Sequence, residues 1–227
     1  MPATRVLSTE TRPSWGCGRA IEASGHRAGE DVFISLDIAA NELGDASGYS
    51  LALDDGRLTS EAMAARIVEW AGRYPILSIE DPAGQDDWTA MAAVTAAIGD
   101  RVQIIGDDVL VTNADRVARA ADAAVCNAAL IKVNQVGTVT EAKAALDAAV
   151  ARGWGAIVSA RSGESEDVTI AHLATGWNAG QLKVGSFTRS ERMAKWNEML
   201  RIEETMGADA VFAGFSAFAG SIGAVAA

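Results

Sequence analysis

Residues 102–133 read VQIIGDDVLVTNADRVARAADAAVCNAALIKV, and this stretch decides the fold class. It opens with a short apolar run rich in Val and Ile, which predicts a buried strand over 102–105. Asn113 is a suitable N-cap for a helix over 114–124. A second apolar run predicts another strand over 129–133. A strand, a helix and a second strand in this order indicate two parallel strands joined by a crossover helix.

The same alternation extends in both directions along the chain. Further short apolar runs predict strands over 32–38, 76–79, 156–159 and 181–184. They are continuous rather than alternating, which is typical of strands buried on both faces of a parallel sheet. The fold class predicted from these runs is α/β, with about six βα units. No GxGxxG follows the first strand, so a closed barrel and an open doubly wound sheet remain the candidates.

The sequence also marks where helices should begin. Thr138 and Glu141 have the spacing of a capping box, and Thr188 and Glu191 repeat it. In such a box the hydroxyl of the first residue accepts a hydrogen bond from the backbone N–H of the last. The two pairs therefore predict helix starts directly after residues 138 and 188.

Charged and polar residues follow the predicted strands, and they favour the closed barrel. A barrel enzyme gathers its site from the carboxyl ends of several strands, whereas an open sheet uses mainly one switch point. The residues at these ends are Asp37, Glu80, Asp107, Lys132, Arg161, Ser162 and Lys183.

Three of these residues are carboxylates that a barrel would bring to one place. Asp37, Glu80 and Asp107 would repel one another there, and burial would increase the cost. A divalent cation with oxygen ligands relieves the repulsion, and Mg²⁺ is the obvious candidate. The alternative is that each carboxylate is a helix cap or a surface acid.

The basic residues at the strand ends suit catalysis and anion binding. Lys132, at the end of a buried strand, could act as a general base, or it could form a structural salt bridge. Arg161, Ser162 and Lys183 offer a guanidinium fork, a hydroxyl and a point charge, which together suit a phosphate or a carboxylate. Helix capping by Ser162 and ordinary surface charge are the alternatives for this group.

Composition excludes several classes of partner. A net charge of −11 argues against nucleic acid, whose phosphates the chain would repel. The longest apolar stretches are only as long as a strand, so no membrane partner is expected. Residues 1–20 lack a secretory signal, which predicts a cytoplasmic protein. Cys17 and Cys126 lie outside any CxxC or Cys/His cluster, which argues against zinc.

Six strings along the chain resemble enolase (phosphopyruvate hydratase). They are SLDIAANELGD, SIEDPAGQDDW, IIGDDVLVTN, LIKVNQVGTVTEA, SARSGESED and GQLKVGSFTRSERMAKWNEMLRIEE, in the family's order. The resemblance implies the (βα)6 portion of a barrel that in the family opens ββαα and follows an N-terminal α+β domain. We therefore expect an incomplete enolase-type barrel over 21–206, after a loosely structured arm over 1–20 and before a Gly/Ala-rich tail over 207–227.

The resemblance also implies roles for the residues at the strand ends. Asp37, Glu80 and Asp107 correspond to magnesium ligands, and Lys132 corresponds to the base that removes the proton α to the carboxylate of 2-phosphoglycerate. Arg161 and Ser162 match phosphate contacts, and Lys183 matches a contact to the substrate carboxylate. The implied activity is the Mg²⁺-dependent dehydration of this small phosphorylated acid to phosphoenolpyruvate in glycolysis.

Two departures from the family open alternatives. Ala160 occupies the position of a histidine that contacts substrate in the family, and alanine cannot donate a hydrogen bond. The family's general-acid glutamate, its closing loop and its first two barrel strands precede the part that this chain resembles. A complementing N-terminal chain or a second copy of this chain is therefore an expected partner. A related lyase for another phosphorylated or phosphonylated acid and a non-catalytic binding protein are the alternative functions.

Overall fold

The computed structural model describes residues 13–45, 47–52, 55–218 and 222. These residues form two compact units. The first contains the described residues up to Val109 together with Asp122–Asn127. The second contains Leu110–Ala121 and the described residues from Ala128 onward.

The first unit is an α/β arrangement around three parallel strands, β1, β4 and β5, in that order. A short antiparallel hairpin, β2–β3, lies between the first two of them in sequence. The elements are α1 Pro13–Ala23, β1 Ile34–Asp37, β2 Gly44–Asp45, β3 Gly48–Tyr49, α2 Ser60–Arg73, β4 Ile76–Glu80, α3 Trp88–Ile98 and β5 Gln103–Gly106, with a 3-10 turn over Ala40–Glu42.

Side-chain caps and apolar faces explain the two long helices of this unit. Thr59 caps α2 by accepting from Ala62 N at 3.2 Å, and Asp87 caps α3 by accepting from Ala90 N at 3.1 Å. Each helix then buries one face, and the fully buried side chains include Met63 and Met91. Burial of such faces, rather than helix propensity, supplies most of the stability of helices in proteins.

The second unit repeats the pattern around three further parallel strands, β6, β7 and β8. Its main elements are α4 Ala114–Asp122, β6 Ala128–Lys132, α5 Val133–Val136, α6 Val139–Val150, β7 Gly155–Ser159, α7 Thr169–Gly176, β8 Gly180–Leu182 and α8 Ser190–Met206. All residues of β6 and β7 are buried, as their continuous apolar sequences predict.

All six predicted strands are present, with ends that differ from the prediction by at most two residues. One of the two predicted capping boxes is also confirmed, because Glu141 N donates to Thr138 Oγ1 at 3.1 Å at the start of α6. The other is wrong. Helix α8 begins at Ser190, and the residue before it, Arg189, has φ 76° and makes no side-chain cap. Arg189, with its positive φ, directly precedes the helix, so Thr188 lies one position before the cap.

The predicted terminal segments are only partly described. Residues 1–12 of the predicted arm lie outside the described residues, and 13–20 belong to helix α1. In the predicted tail, Gly207–Asp209 and Gly214–Ala217 form 3-10 turns, and 219–221 and 223–227 lie outside the description. Among the described helices, none combines the length and the apolar character needed to cross a bilayer.

Asn127 joins β5 to the turn that precedes it, and its loss should destabilise the first unit. Its Oδ1 accepts from Ile104 N at 2.7 Å, and its Nδ2 donates to Gly99 O at 2.9 Å and Val102 O at 3.2 Å. We expect Asn127→Ala to lower the free energy of unfolding by about 3 kcal/mol, at ~1 kcal/mol per hydrogen bond. Urea denaturation followed by circular dichroism measures this loss.

The exposed Asn197 on α8 supplies the control for this experiment. We expect Asn197→Ala to change the free energy of unfolding by no more than about 0.5 kcal/mol, as is usual for surface substitutions. Equal losses in the two variants would contradict the role given to Asn127.

Candidate active site

Two acidic side chains share one face of the first unit's sheet. Asp37 and Glu80 end β1 and β4, and they are partners in the register of these parallel strands. Directly beneath them, Ser35 Oγ and Ser78 Oγ lie 2.7 Å apart. Because side chains alternate between the faces of a sheet, Ser35 and Asp37 lie on the same face, as do their partners. This face of the sheet is therefore polar at two successive pairs of residues along the strands.

Asp107 extends this acidic face beyond β5. Glu80 is paired with Ile105, and Asp107 follows Ile105 by two residues, which favours the same face. Glu80 and Asp107 are only 3% and 8% exposed, whereas Asp37 is exposed. The first unit thus presents the three predicted metal ligands at the carboxyl ends of neighbouring strands.

Asp81 belongs to this acidic group, although the sequence did not single it out. It turns the chain at the end of β4 with φ 41°, and its side chain is buried. Its two carboxylate oxygens accept hydrogen bonds from Asp107 N at 2.9 Å and Asp108 N at 2.8 Å. Asp81 therefore fixes the backbone of the segment that carries Asp107.

The electrostatics of this group favour a cation. Burial raises the pKa of Asp81 to about 8, and the negative charges of Asp107 and Glu80 act in the same direction. The two backbone hydrogen bonds oppose this shift. One carboxylate oxygen from each of Asp81, Asp107 and Asp108 lies within 4.8 Å of the others. A divalent cation at such a set of oxygen donors would offset their repulsion, so the residues present suit a hard metal ion.

Asn41 connects the acidic group to the segment after β4. Its Nδ2 donates to Asp108 Oδ2 at 2.8 Å, and its Oδ1 accepts from Gln85 N at 2.8 Å. Tyr49 holds the same segment at a second point, since its hydroxyl accepts from Gly84 N at 2.8 Å and donates to Asp87 Oδ2 at 3.0 Å. These contacts give residues 81–87 a defined conformation beside the carboxylates.

In the second unit, Lys132 is the last residue of β6 and is 8% exposed. Its register partner in β7 is Ser159. Lys183 directly follows β8, and its backbone N donates to Val158 O at 2.9 Å, which continues the ladder between β7 and β8. The register therefore places Lys132, Ser159 and Lys183 at the same level of this sheet.

Thr112 holds the backbone of Lys132. The N–H of Lys132 donates to Thr112 Oγ1 at 3.0 Å, and the Thr112 hydroxyl donates to Gln135 Oε1 at 2.6 Å. Thr112 is fully buried and has φ 52°, an uncommon conformation for a β-branched residue. Nothing in the local sequence pattern indicated this contact, because 20 residues separate Thr112 from Lys132.

Arg161 and Ser162 lie in the loop that follows β7, and both are exposed. The loop begins at the half-buried Ala160. The backbone N of Arg161 donates to Asn134 Oδ1 at 3.1 Å, which ties the start of the loop to α5. The guanidinium and the hydroxyl of these two residues are thus available on a loop with an anchored start.

A comparison with known families agrees with this arrangement. The family model described as "Enolase, C-terminal TIM barrel domain" matches residues 17–220. The matched range contains all six parallel strands of the described chain and every predicted site residue. A complete TIM barrel has eight such strands, and the described residues supply six. The chain belongs to the enolase family, through the C-terminal TIM barrel domain that makes up most of its length.

Proposed function

We propose that this protein is a Mg²⁺-dependent carbon–oxygen lyase that dehydrates 2-phosphoglycerate to phosphoenolpyruvate, the enolase step of glycolysis. The observation that supports it most strongly is that two features occur together. The chain has the enolase C-terminal domain, and its acidic and basic residues occur at the carboxyl ends of the strands. In barrel enzymes, catalytic residues occur at this end of the strands.

In the proposed reaction Asp37, Glu80 and Asp107 would hold Mg²⁺. The ion would stabilise the negative charge that develops on the substrate carboxylate when the neighbouring carbon loses its proton. Two features of the first unit support this assignment. Asp37 and Glu80 share one face of the sheet, and next to Glu80 burial and the neighbouring negative charges raise the pKa of Asp81.

Lys132 would be the general base for the α-carbon proton. Support comes from its place at the end of β6 and from its backbone, which Thr112 holds at 3.0 Å. A general base needs a defined position within hydrogen-bond reach of the proton it removes. A buried strand provides a more rigid mount for this amine than an exposed loop would.

The remaining predicted residues would bind the anionic ends of the substrate. Arg161 and Ser162 would bind the phosphate, for which a guanidinium fork and a hydroxyl are suitable donors. Lys183 would bind the carboxylate. Its backbone bond to Val158 O at 2.9 Å holds it at the end of β8, beside the strand that leads to Arg161.

A second candidate function is the same chemistry on another phosphorylated or phosphonylated acid. Ala160 favours it, because a methyl group leaves space where the family has a histidine that contacts substrate. We expect Ala160→His to raise kcat/KM for 2-phosphoglycerate by about tenfold, the equivalent of one hydrogen bond to a charged group. A steady-state assay of the two proteins at equal Mg²⁺ measures this change. Unchanged or lower kcat/KM would instead favour a different natural substrate.

The proposed function is tested by incubating the purified protein with 2-phosphoglycerate and Mg²⁺ and following phosphoenolpyruvate by its ultraviolet absorbance. Formation of product that stops on chelation of Mg²⁺ supports the proposal. A folded protein that binds Mg²⁺ but forms no product would favour a non-catalytic binding protein. Product formed only after addition of an enolase N-terminal fragment would favour a split enzyme, and the complementing chain or second copy stays a prediction until then.

A further inference from the structure

Helix α8 carries one buried residue, and that residue is a lysine. The structure describes all of α8, and within it only Lys195 is buried, at 2% exposure. An ammonium group in such a place needs acceptors for its three N–H donors. Lys195 Nζ has three: Glu164 Oε2, Ser165 O and Glu191 O, each at 2.6 Å.

Two of these acceptors belong to the loop that carries Arg161 and Ser162. Glu164 and Ser165 follow Ser162 within three residues, and the Glu164 side chain is only 13% exposed. The third acceptor, Glu191 O, belongs to the first turn of α8 itself. One ammonium group thus joins the start of α8 to the middle of this loop.

The loop is held at its two ends by other groups. At its start Arg161 N donates to Asn134 Oδ1 at 3.1 Å, and at its end Thr169 N donates to Asp167 Oδ1 at 2.8 Å. The bonds from Thr169 hold the pKa of the Asp167 carboxyl below its usual range, and the charge of Lys195 acts in the same direction. Between these two anchors, Lys195 on α8 contacts both Glu164 and Ser165.

A helix can be packed without a buried charge. Apolar residues of similar size usually stabilise a fold as well as a buried ion pair, or better, because desolvation of the charges is costly. Apolar packing is not directional, whereas hydrogen bonds are. Those of the Lys195 ammonium group define the positions of one carboxylate and two carbonyl groups. This favours a role in the geometry of the loop over a role in stability alone.

We propose that Lys195 is a positioning residue, which holds the loop over 161–165 in the conformation that lets Arg161 and Ser162 bind the phosphate group of the substrate. The inference rests on the proposed function, since it assigns phosphate binding to this loop. In this role Lys195 touches no substrate and acts through Arg161 and Ser162.

The test measures the affinity of the whole protein for inorganic phosphate by ³¹P NMR titration, without turnover. We expect Lys195→Met to weaken phosphate binding about tenfold, and Arg161→Ala to weaken it at least as much. In the double variant we expect a loss smaller than the sum of the two single losses, because part of the effect of the lysine passes through Arg161. Lys143→Met is the matched control, since Lys143 forms an exposed pair with Asp147 at 2.6 Å in the same unit.

Glu164→Gln is a second test of the same contact, for use if Lys195→Met does not fold. It keeps an oxygen that can accept from Lys195 but removes the charge, and we expect a smaller loss of phosphate affinity in the same direction. Unchanged phosphate affinity in folded Lys195→Met, or additive losses in the double variant, would overturn the positioning role and leave the phosphate site intact. A wild-type protein that binds no phosphate, or binds it as well after Arg161→Ala, would overturn the phosphate site and the inference with it.

Discussion

Replacing Lys132 by alanine is expected to lower kcat for the dehydration of 2-phosphoglycerate by about 10²- to 10⁴-fold, the usual contribution of a positioned general base. The α-carbon proton is very weakly acidic, and removal of Nζ leaves no group at the end of β6 to accept it. Lys132→Ala should leave KM within a few-fold of the wild type if the lysine acts in the transition state rather than in substrate binding. Steady-state kinetics with Mg²⁺ in excess measure both constants.

Lys143→Ala is the matched control for this prediction. Lys143 belongs to the same unit but lies on α6, where its partly exposed side chain pairs with Asp147. We expect it to keep full activity, since exposed ion pairs contribute little to stability. A Lys132→Ala protein that is folded and still turns over at the wild-type rate would refute the assignment of the base.

The second large effect concerns the metal. We expect Asp107→Asn to weaken Mg²⁺ binding at least about 100-fold, because even outer partners of metal ligands affect affinity by 10- to 100-fold. Asp107 is buried and belongs both to the predicted ligand set and to the carboxylate cluster with Asp81 and Asp108. Isothermal titration calorimetry with Mg²⁺ measures this affinity without any substrate.

Two further substitutions distinguish the predicted ligand set from the cluster. In the cluster, Asp81 accepts from two backbone N–H groups and Asp108 accepts from Asn41 Nδ2 at 2.8 Å, so these carboxylates already serve the local structure. We therefore expect Glu80→Gln to weaken Mg²⁺ binding as strongly as Asp107→Asn, and Asp108→Asn to weaken it much less. The reverse order of these losses would indicate that the cluster, rather than the predicted ligand set, binds the metal.

The sequence by itself determined the fold class, the six strands and the family. Short continuous apolar runs report burial on both faces, and this signal is local, so the strands could be located to within one or two residues. Asp37, Glu80 and Lys132 could be assigned to strand ends for the same reason. The helix start at Thr138 was also readable, because the contacts of a capping box span only three residues.

Only the tertiary structure decided which residues support these strand ends. Asp81 bonds to backbone groups 26 and 27 residues away, and Thr112 bonds to a residue 20 positions along the chain. Lys195 appears in the sequence as one more polar residue of a helix, yet it is buried and forms an ion pair with Glu164. Propensity and periodicity act over one or two helical turns, whereas these hydrogen bonds depend on loops that meet only when the sheet has formed. For that physical reason the polar contacts that hold the candidate site could not be read from the sequence.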